Sequence, residues 1–194
     1  ALAAEIAADC AVLLKNDGLL PLNKAEKVLV IGDLFDRMRY QGAGSSMITP
    51  ARLTTPRNAF DEMGISYAFC RGYEENKTEA NASLVAEAVE KASQYEKILV
   101  FAGLTDYVES EGGDRENMCL PENQLALLEA LVKAGKRVAV VLFGGAPVEL
   151  PFADSVSAIL NMYLPGQNGG SAAAWLLFGE ANPGGRLAET WPMA

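Results

Sequence analysis

The sequence predicts an α/β fold built on an open, mostly parallel sheet, and three observations carry that prediction. The first is a set of short apolar runs without polar alternation, which is typical of strands buried on both faces. The second is the helical stretches between those runs, because strands that alternate with helices favour parallel pairing. The third is composition: 50% of the 194 residues are hydrophobic, enough to form the core of one domain.

The predicted elements follow one another along the whole chain. Apolar positions from Leu2 to Leu13 have helical spacing and predict a first helix that stops within Lys15–Gly18. The predicted strands are Val28–Gly32, Tyr67–Cys70, Ile98–Ala102, Val138–Phe143 and Ala158–Met162. The predicted helices cover about 55–63, 80–94, 122–134 and 168–178. No linker or repeat interrupts the series, so we expect a single domain over residues 1–194.

Charge and residue usage exclude several classes of function. A formal net charge of -9 repels phosphate backbones, so nucleic acid is not an expected partner. The absence of histidine excludes Ser-His-Asp and Cys-His catalysis and His-liganded zinc. No apolar run approaches the roughly 18 residues of a membrane span, and no signal peptide is recognisable. Three widely separated cysteines are interpreted as free thiols of a reducing compartment, so we expect a cytoplasmic protein.

Ligands of an open parallel sheet bind beyond the carboxyl ends of its strands, so the loops that follow strands are the places to look for a site. Three of these loops are distinctive: Asp33–Pro50, Gly103–Pro121 and Gly144–Glu149. The second is longer than most loops in compact domains and is rich in carboxylates. We call it the acidic loop.

The acidic loop contains the candidate catalytic groups. Glu109, Glu111 and Asp114 lie close together in sequence beside Arg115. Mutual repulsion and partial burial are expected to raise the pKa of one carboxyl, while Arg115 holds a neighbouring carboxyl ionised. A carboxylic acid that stays protonated near neutral pH is suited to general acid catalysis. Composition alone, however, favours a solvated surface loop.

A glycine turn, Gly42–Ser46, follows the first predicted strand of the sheet and could cradle an anion with its backbone N–H groups. It lacks both the third glycine of a dinucleotide fingerprint and the lysine of a P-loop, so a tight turn or a pocket wall is the better interpretation. Two alternatives remain open on these residues. One is a flavodoxin-like ligand- or nucleotide-binding module, and the other is a structural domain whose acidic loop is only surface.

A series of motifs covers nearly the whole chain in a fixed order. They are Val12–Gly18 with Leu20–Leu22, the glycine turn, Glu109–Arg115 with Leu120–Pro121 and Gln124, Pro147–Glu149, Pro165–Gly170, Gly179–Leu187 and Thr190–Pro192. Together they resemble family 3 glycoside hydrolases of the β-glucosidase-like kind. The resemblance implies the second domain of these enzymes, a three-layer αβα sandwich with a mostly parallel sheet of about six strands.

The resemblance also implies what the domain works with. Its partner would be a (β/α)₈ barrel of the same enzyme, which carries the Asp nucleophile, and its substrate a β-linked glycoside. The chain would then be an excerpt of a longer enzyme, inactive alone, with an apolar face that meets the barrel. No cofactor, metal or membrane is implied, and a homo-oligomer is compatible with it.

Site residues carried over from the resemblance all lie in the acidic loop and beside the glycine turn. Glu111 maps onto the general acid/base, with Glu109 as the alternative. Asp114 and Arg115 would form a bidentate pair that orders the loop. The same pocket would be lined by Gly44, Ser45, Ser46 and Met47. The implied reaction is double displacement with retention of configuration.

Overall fold

A computed structural model describes residues 1–193. These residues form five helices and six strands. The helices are α1 Leu2–Cys10, α2 Pro56–Glu62, α3 Ala82–Ala92, α4 Glu122–Lys133 and α5 Gly169–Leu177. The strands are β1 Val12–Asn16, β2 Val28–Ile31, β3 Tyr67–Cys70, β4 Lys97–Gly103, β5 Arg137–Phe143 and β6 Ala158–Asn161. A 3₁₀ turn at Asp33–Phe35 follows β2. None of the helices within residues 1–193 has the length and apolarity needed to cross a membrane.

All six strands belong to one sheet, in the order β1-β6-β5-β4-β2-β3. Every neighbouring pair is parallel except β1 and β6, which are antiparallel. Helices α1 and α2 pack against α5, while α3 packs against α4, so two helical groups flank the sheet. This confirms the predicted αβα sandwich with a six-stranded, mostly parallel sheet.

The first strand is where the structure differs from the sequence-based expectation. Helix α1 ends at Cys10, and the Val12–Asn16 segment, predicted to be helix and helix stop, is an edge strand paired with β6. Short apolar segments fit either period, and pairing with a neighbouring strand decides between them. The Asn16 side chain forms the turn that follows, because its Oδ1 accepts bonds from the Gly18 and Leu20 N–H groups.

The centre of the sheet is apolar. At the end of β4, where the acidic loop begins, the buried side-chain amide of Gln124 binds the backbone. Nearly all residues of β4 and β5 are buried, as the unalternating runs predict. At the end of β4, the Gln124 side chain of α4 accepts a bond from the Gly103 N–H (2.8 Å) and donates one to the Gly103 carbonyl (2.9 Å). Both backbone groups are therefore satisfied where the strand ends.

Candidate functional site

The three distinctive loops meet at one edge of the sheet. Strands β2, β4 and β5 are adjacent and parallel, so their carboxyl ends lie side by side. The Glu111 N–H donates to the Ala43 carbonyl at 3.3 Å, which joins the acidic loop to the loop after β2. The Gly145 N–H donates to the Glu109 carboxylate at 2.9 Å, which joins it to the loop after β5. The three loops after these strands are therefore joined to one another through the acidic loop.

A buried arginine that sequence reasoning missed lies at this junction. The side chain of Arg39 is only 3% exposed, and its Nε lies 2.7 Å from the Asp106 carboxylate. Its Nη1 lies 3.2 Å from the Glu109 carboxylate and donates to the Leu104 carbonyl at 3.0 Å. Its Nη2 donates to the Glu109 carbonyl at 2.9 Å, and its Nε also donates to the Gln41 carbonyl at 3.2 Å. No sequence signal separates Arg39 from an exposed loop arginine.

Glu109 is held inside this network. Its backbone N–H donates to the Thr105 carbonyl at 2.9 Å, which closes a helical turn at the start of the loop. Its carboxylate accepts the Gly145 N–H and pairs with Arg39, and its side chain is 21% exposed. The side chain thus already has charged and backbone partners within the domain.

Glu111 lies two residues further on and is exposed. Its carboxylate accepts the backbone N–H of Ser45 at 2.5 Å. Hydrogen bonds from the Ser45 hydroxyl and the Ser45 N–H lower the pKa of the Glu111 carboxyl below its ordinary value, because they favour the charged form. The expected raised pKa is therefore not found for Glu111 in this chain.

Gly44 allows the close approach of the two loops. Its φ is +101°, a conformation that favours glycine, and a Cβ placed on it would overlap the Glu111 Cβ and lie 2.7 Å from Oε2. The glycine turn does bind an anion, through the backbone N–H of Ser45. The anion is the chain's own Glu111 carboxylate, so the nucleotide-binding interpretation loses its site.

The predicted Asp114–Arg115 pair is not formed: no ion pair joins these two residues in the described part of the chain, and the expectation was wrong. The Arg115 Nη2 instead donates to the Pro147 carbonyl at 3.1 Å. Its Nη1 is buried without a hydrogen-bond partner within residues 1–193. Neighbouring side chains in an extended loop point in different directions, and the carbonyl of the loop after β5 is within reach.

The Glu111 side chain stands beside an open depression of about 380 Å³. Its lining includes Ser45 and Ser46 of the glycine turn, Glu109 and Glu111 of the acidic loop, and Gly145 and Leu164 from beyond β5 and β6. Met47 is 55% exposed and lines a neighbouring depression instead. The arrangement places an accessible carboxylate, able to accept or donate a proton, at the rim of a surface hollow.

Three large apolar side chains are exposed in the same two loops. Met47 and Ile48 follow the glycine turn and are 55% and 68% exposed, and Tyr107 of the acidic loop is 71% exposed. Exposed large apolar residues that lie in neighbouring loops are typical of a surface that meets another protein surface or a ligand.

Comparison with known proteins agrees with this architecture. The family model described as "Glycosyl hydrolase family 3 C-terminal domain" matches residues 11–194. The chain is 44% identical to thermostable beta-glucosidase B of Acetivibrio thermocellus over 99% of its length, and 39% identical to an exo-alpha-(1->6)-L-arabinopyranosidase of Bifidobacterium longum over 97%. It spans 26% of the length of each of these relatives.

Among solved structures, a family 3 beta-glucosidase of Bifidobacterium adolescentis superimposes with a TM-score of 0.93 at 40% identity. That alignment covers 99% of this chain and 28% of the crystallised one. A family model over nearly the whole chain, with a matching sheet and matching relatives, shows that the chain belongs to glycosyl hydrolase family 3, as a C-terminal domain of that family.

Proposed function

We propose that this domain supplies the general acid/base for the retaining hydrolysis of β-glycosidic bonds, and that Glu111 is the group that transfers the proton. The nucleophile is an Asp of a separate barrel domain in the same enzyme. The observation that carries the choice of Glu111 is the contrast in burial and charge. The Glu109 carboxylate is partly buried and paired with Arg39, whereas Glu111 is exposed and is bound by the neutral Ser45.

The reaction needs two proton transfers, one from Glu111 to the leaving group and one from water back to Glu111. In the first step the barrel Asp attacks the anomeric carbon, the bond to the leaving oxygen breaks, and Glu111 gives that oxygen its proton. In the second step the Glu111 carboxylate takes a proton from water, whose oxygen attacks the anomeric carbon and releases the Asp. Glu111 ends the cycle protonated, as it began.

The lowered pKa of Glu111 fits a site that is completed by a second domain. A general acid must be protonated at the working pH, whereas the bonds from Ser45 favour the carboxylate. A nucleophile carboxylate brought close by the barrel raises the pKa of Glu111, because two negative charges repel and water is excluded. The exposed Met47, Ile48 and Tyr107 belong to the surface proposed to meet the barrel.

The substrate class follows from the relatives, whose names cover glucosidases, xylosidases and an arabinopyranosidase. Domains this similar therefore occur in enzymes that are named for different sugars. We infer that the barrel selects the sugar, while this domain provides the proton transfer common to all of them. An exo-acting β-glucosidase is the proposed activity of the full-length enzyme.

The test replaces each glutamate separately, Glu111→Ala and Glu109→Ala, in the full-length enzyme and assays an aryl β-glucoside with a good leaving group. Glu111→Ala is expected to lose about 10²–10⁴-fold in turnover. Azide needs no general base, so it should restore turnover and yield the β-glycosyl azide. If Glu109→Ala loses turnover and azide restores it, while Glu111→Ala stays active, Glu109 is the acid/base. Full activity of both variants would leave the domain a structural role.

A further inference from the structure

The guanidinium of Arg39 joins two loops, and within residues 1–193 its hydrogen bonds and ion pairs are all with loop residues. Its partners are the Gln41 carbonyl in its own loop and four groups of the acidic loop: the Leu104 and Glu109 carbonyls and the carboxylates of Asp106 and Glu109. A planar guanidinium has five N–H donors in fixed directions, so it can hold several acceptors at defined positions.

Burial of the Arg39 charge favours one conformation of the acidic loop. The Arg39 side chain is 3% exposed, and an unpaired charge at such a position would be costly. The two carboxylates supply the compensating charge only when the acidic loop is folded back over Arg39. The loop conformation and the burial of the arginine therefore depend on each other.

The two segments that Arg39 joins lead directly to the proposed proton donor. Gly44 and Ser45 lie a few residues after Arg39, and Glu111 lies two residues after Glu109. The Glu111 N–H bonds to Ala43 and its carboxylate to Ser45, so the position of Glu111 is set by how the two loops are fixed to each other.

We propose that Arg39 is the positioning residue for proton transfer by Glu111, acting by fixing the acidic loop against the glycine turn. This rests on the proposed function. Because its contacts are with the loops, removal of the guanidinium should leave the sheet intact and displace Glu111. A displacement of about 1 Å at a reacting group can cost roughly 10²-fold in rate.

The test uses the dependence of kcat/KM on the leaving group in the full-length enzyme. A poor leaving group such as methanol needs protonation when its bond to the sugar breaks, whereas dinitrophenolate leaves without it. Arg39→Met is expected to lower kcat/KM for a methyl β-glucoside about 10²-fold and for a dinitrophenyl β-glucoside less than about threefold. Glu111→Gln should show the same pattern with a larger loss.

Arg57→Met is the matched control. Arg57 is a partly buried arginine, bound to Asp36 and Tyr67 and distant in sequence from the acidic loop. Arg57→Met is expected to change kcat/KM for the two substrates by the same factor, or to leave both values unchanged. Arg39→Lys keeps the positive charge but lacks the planar set of guanidinium donors. It should show a smaller loss of kcat/KM that is again confined to the methyl β-glucoside. This variant tests the proposal if Arg39→Met does not fold.

Equal losses on both substrates for the Arg39 variants would overturn the proposal and leave a purely structural arginine. Unchanged kcat/KM on both substrates would also overturn it. If Glu111→Gln shows the selective loss and the Arg39 variants do not, the proposal fails while the proposed function stands. If the wild-type enzyme hydrolyses neither substrate, the proposed function itself fails.

Discussion

The two halves of the acidic loop differ in how they are held. The first half, Leu104–Glu109, begins with two buried residues and ends in a carboxylate fixed by Arg39 and the Gly145 N–H. The second half, Ser110–Asn117, is mostly exposed, and its local structure is an isolated bridge between Ser110 and Gly113. The first half is therefore integrated into the domain, whereas the second half is mostly exposed and is held at the surface through Glu111 and Arg115.

This difference distinguishes a structural role from a catalytic role, which the sequence alone does not assign to one glutamate or the other. A carboxylate with buried charged partners contributes to the loop conformation, whereas an exposed carboxylate can approach a substrate held by another domain. Glu109 and Glu111 are chemically identical and two residues apart, and only their surroundings distinguish them. The comparison predicts that changes in the first half affect stability and changes near Glu111 affect catalysis.

Among the variants that test this comparison without replacing Glu111, the largest expected effect comes from Gly44→Ala in the full-length enzyme. The added Cβ would collide with Glu111, so we expect kcat/KM for a poor leaving group to fall about 10²-fold. Gly112→Ala is the control, because Gly112 also has a positive φ (82°) but its Cβ would meet nothing within 4 Å. Equal losses in the two variants would mean that backbone strain, not the contact with Glu111, limits the activity.

The next effect concerns stability. Glu109→Gln removes the negative charge next to buried Arg39, and a hydrogen bond to a charged group contributes about 1.5–3 kcal/mol. Urea unfolding of the chain should show a loss of this size in the free energy of unfolding. Glu111→Gln, at an exposed position whose partner is the neutral Ser45, is expected to lower the free energy of unfolding by less than Glu109→Gln does. The reverse order of the two variants would contradict the comparison.

The smallest effect is on the pKa of Glu111 in this chain. The Ser45 hydroxyl and N–H favour the charged form of Glu111. Their contribution to the free energy of unfolding is fully present above the ordinary pKa of a Glu carboxyl, and it is lost as the pH falls through the lowered pKa of Glu111. Ser45→Ala removes the hydroxyl and should raise the pKa toward its ordinary value, as measured by NMR titration of ¹³C-labelled glutamate side chains. Ser46→Ala should leave it unchanged, and an equal shift there would argue against a specific contact.

Much of the fold could be predicted from the sequence because burial on both faces leaves a local pattern. The apolar runs of β4 and β5 and the helical periods around them define the sheet and the loops that leave its carboxyl edge. Strand β1 was missed because pairing with β6, a partner far away in sequence, determines its conformation.

The site was predicted only as far as composition allows. The sequence brings together the acidic loop and the glycine turn, since both follow parallel strands. It does not show that Arg39 is buried between them, nor that Arg115 bonds to Pro147 rather than Asp114. Charged side chains choose partners by three-dimensional reach, and adjacency in sequence is a poor guide to that choice.

The most direct test of the central claim is a distance in the full-length enzyme. A crystal structure of the glycosyl-enzyme intermediate would show which of the two glutamates lies closer to the proposed nucleophile Asp. A retaining mechanism with Glu111 as the acid/base predicts about 5–5.5 Å between the carboxyl groups of Glu111 and the nucleophile. A Glu109 carboxyl at that distance, with Glu111 beyond about 9.5 Å, would contradict the assignment.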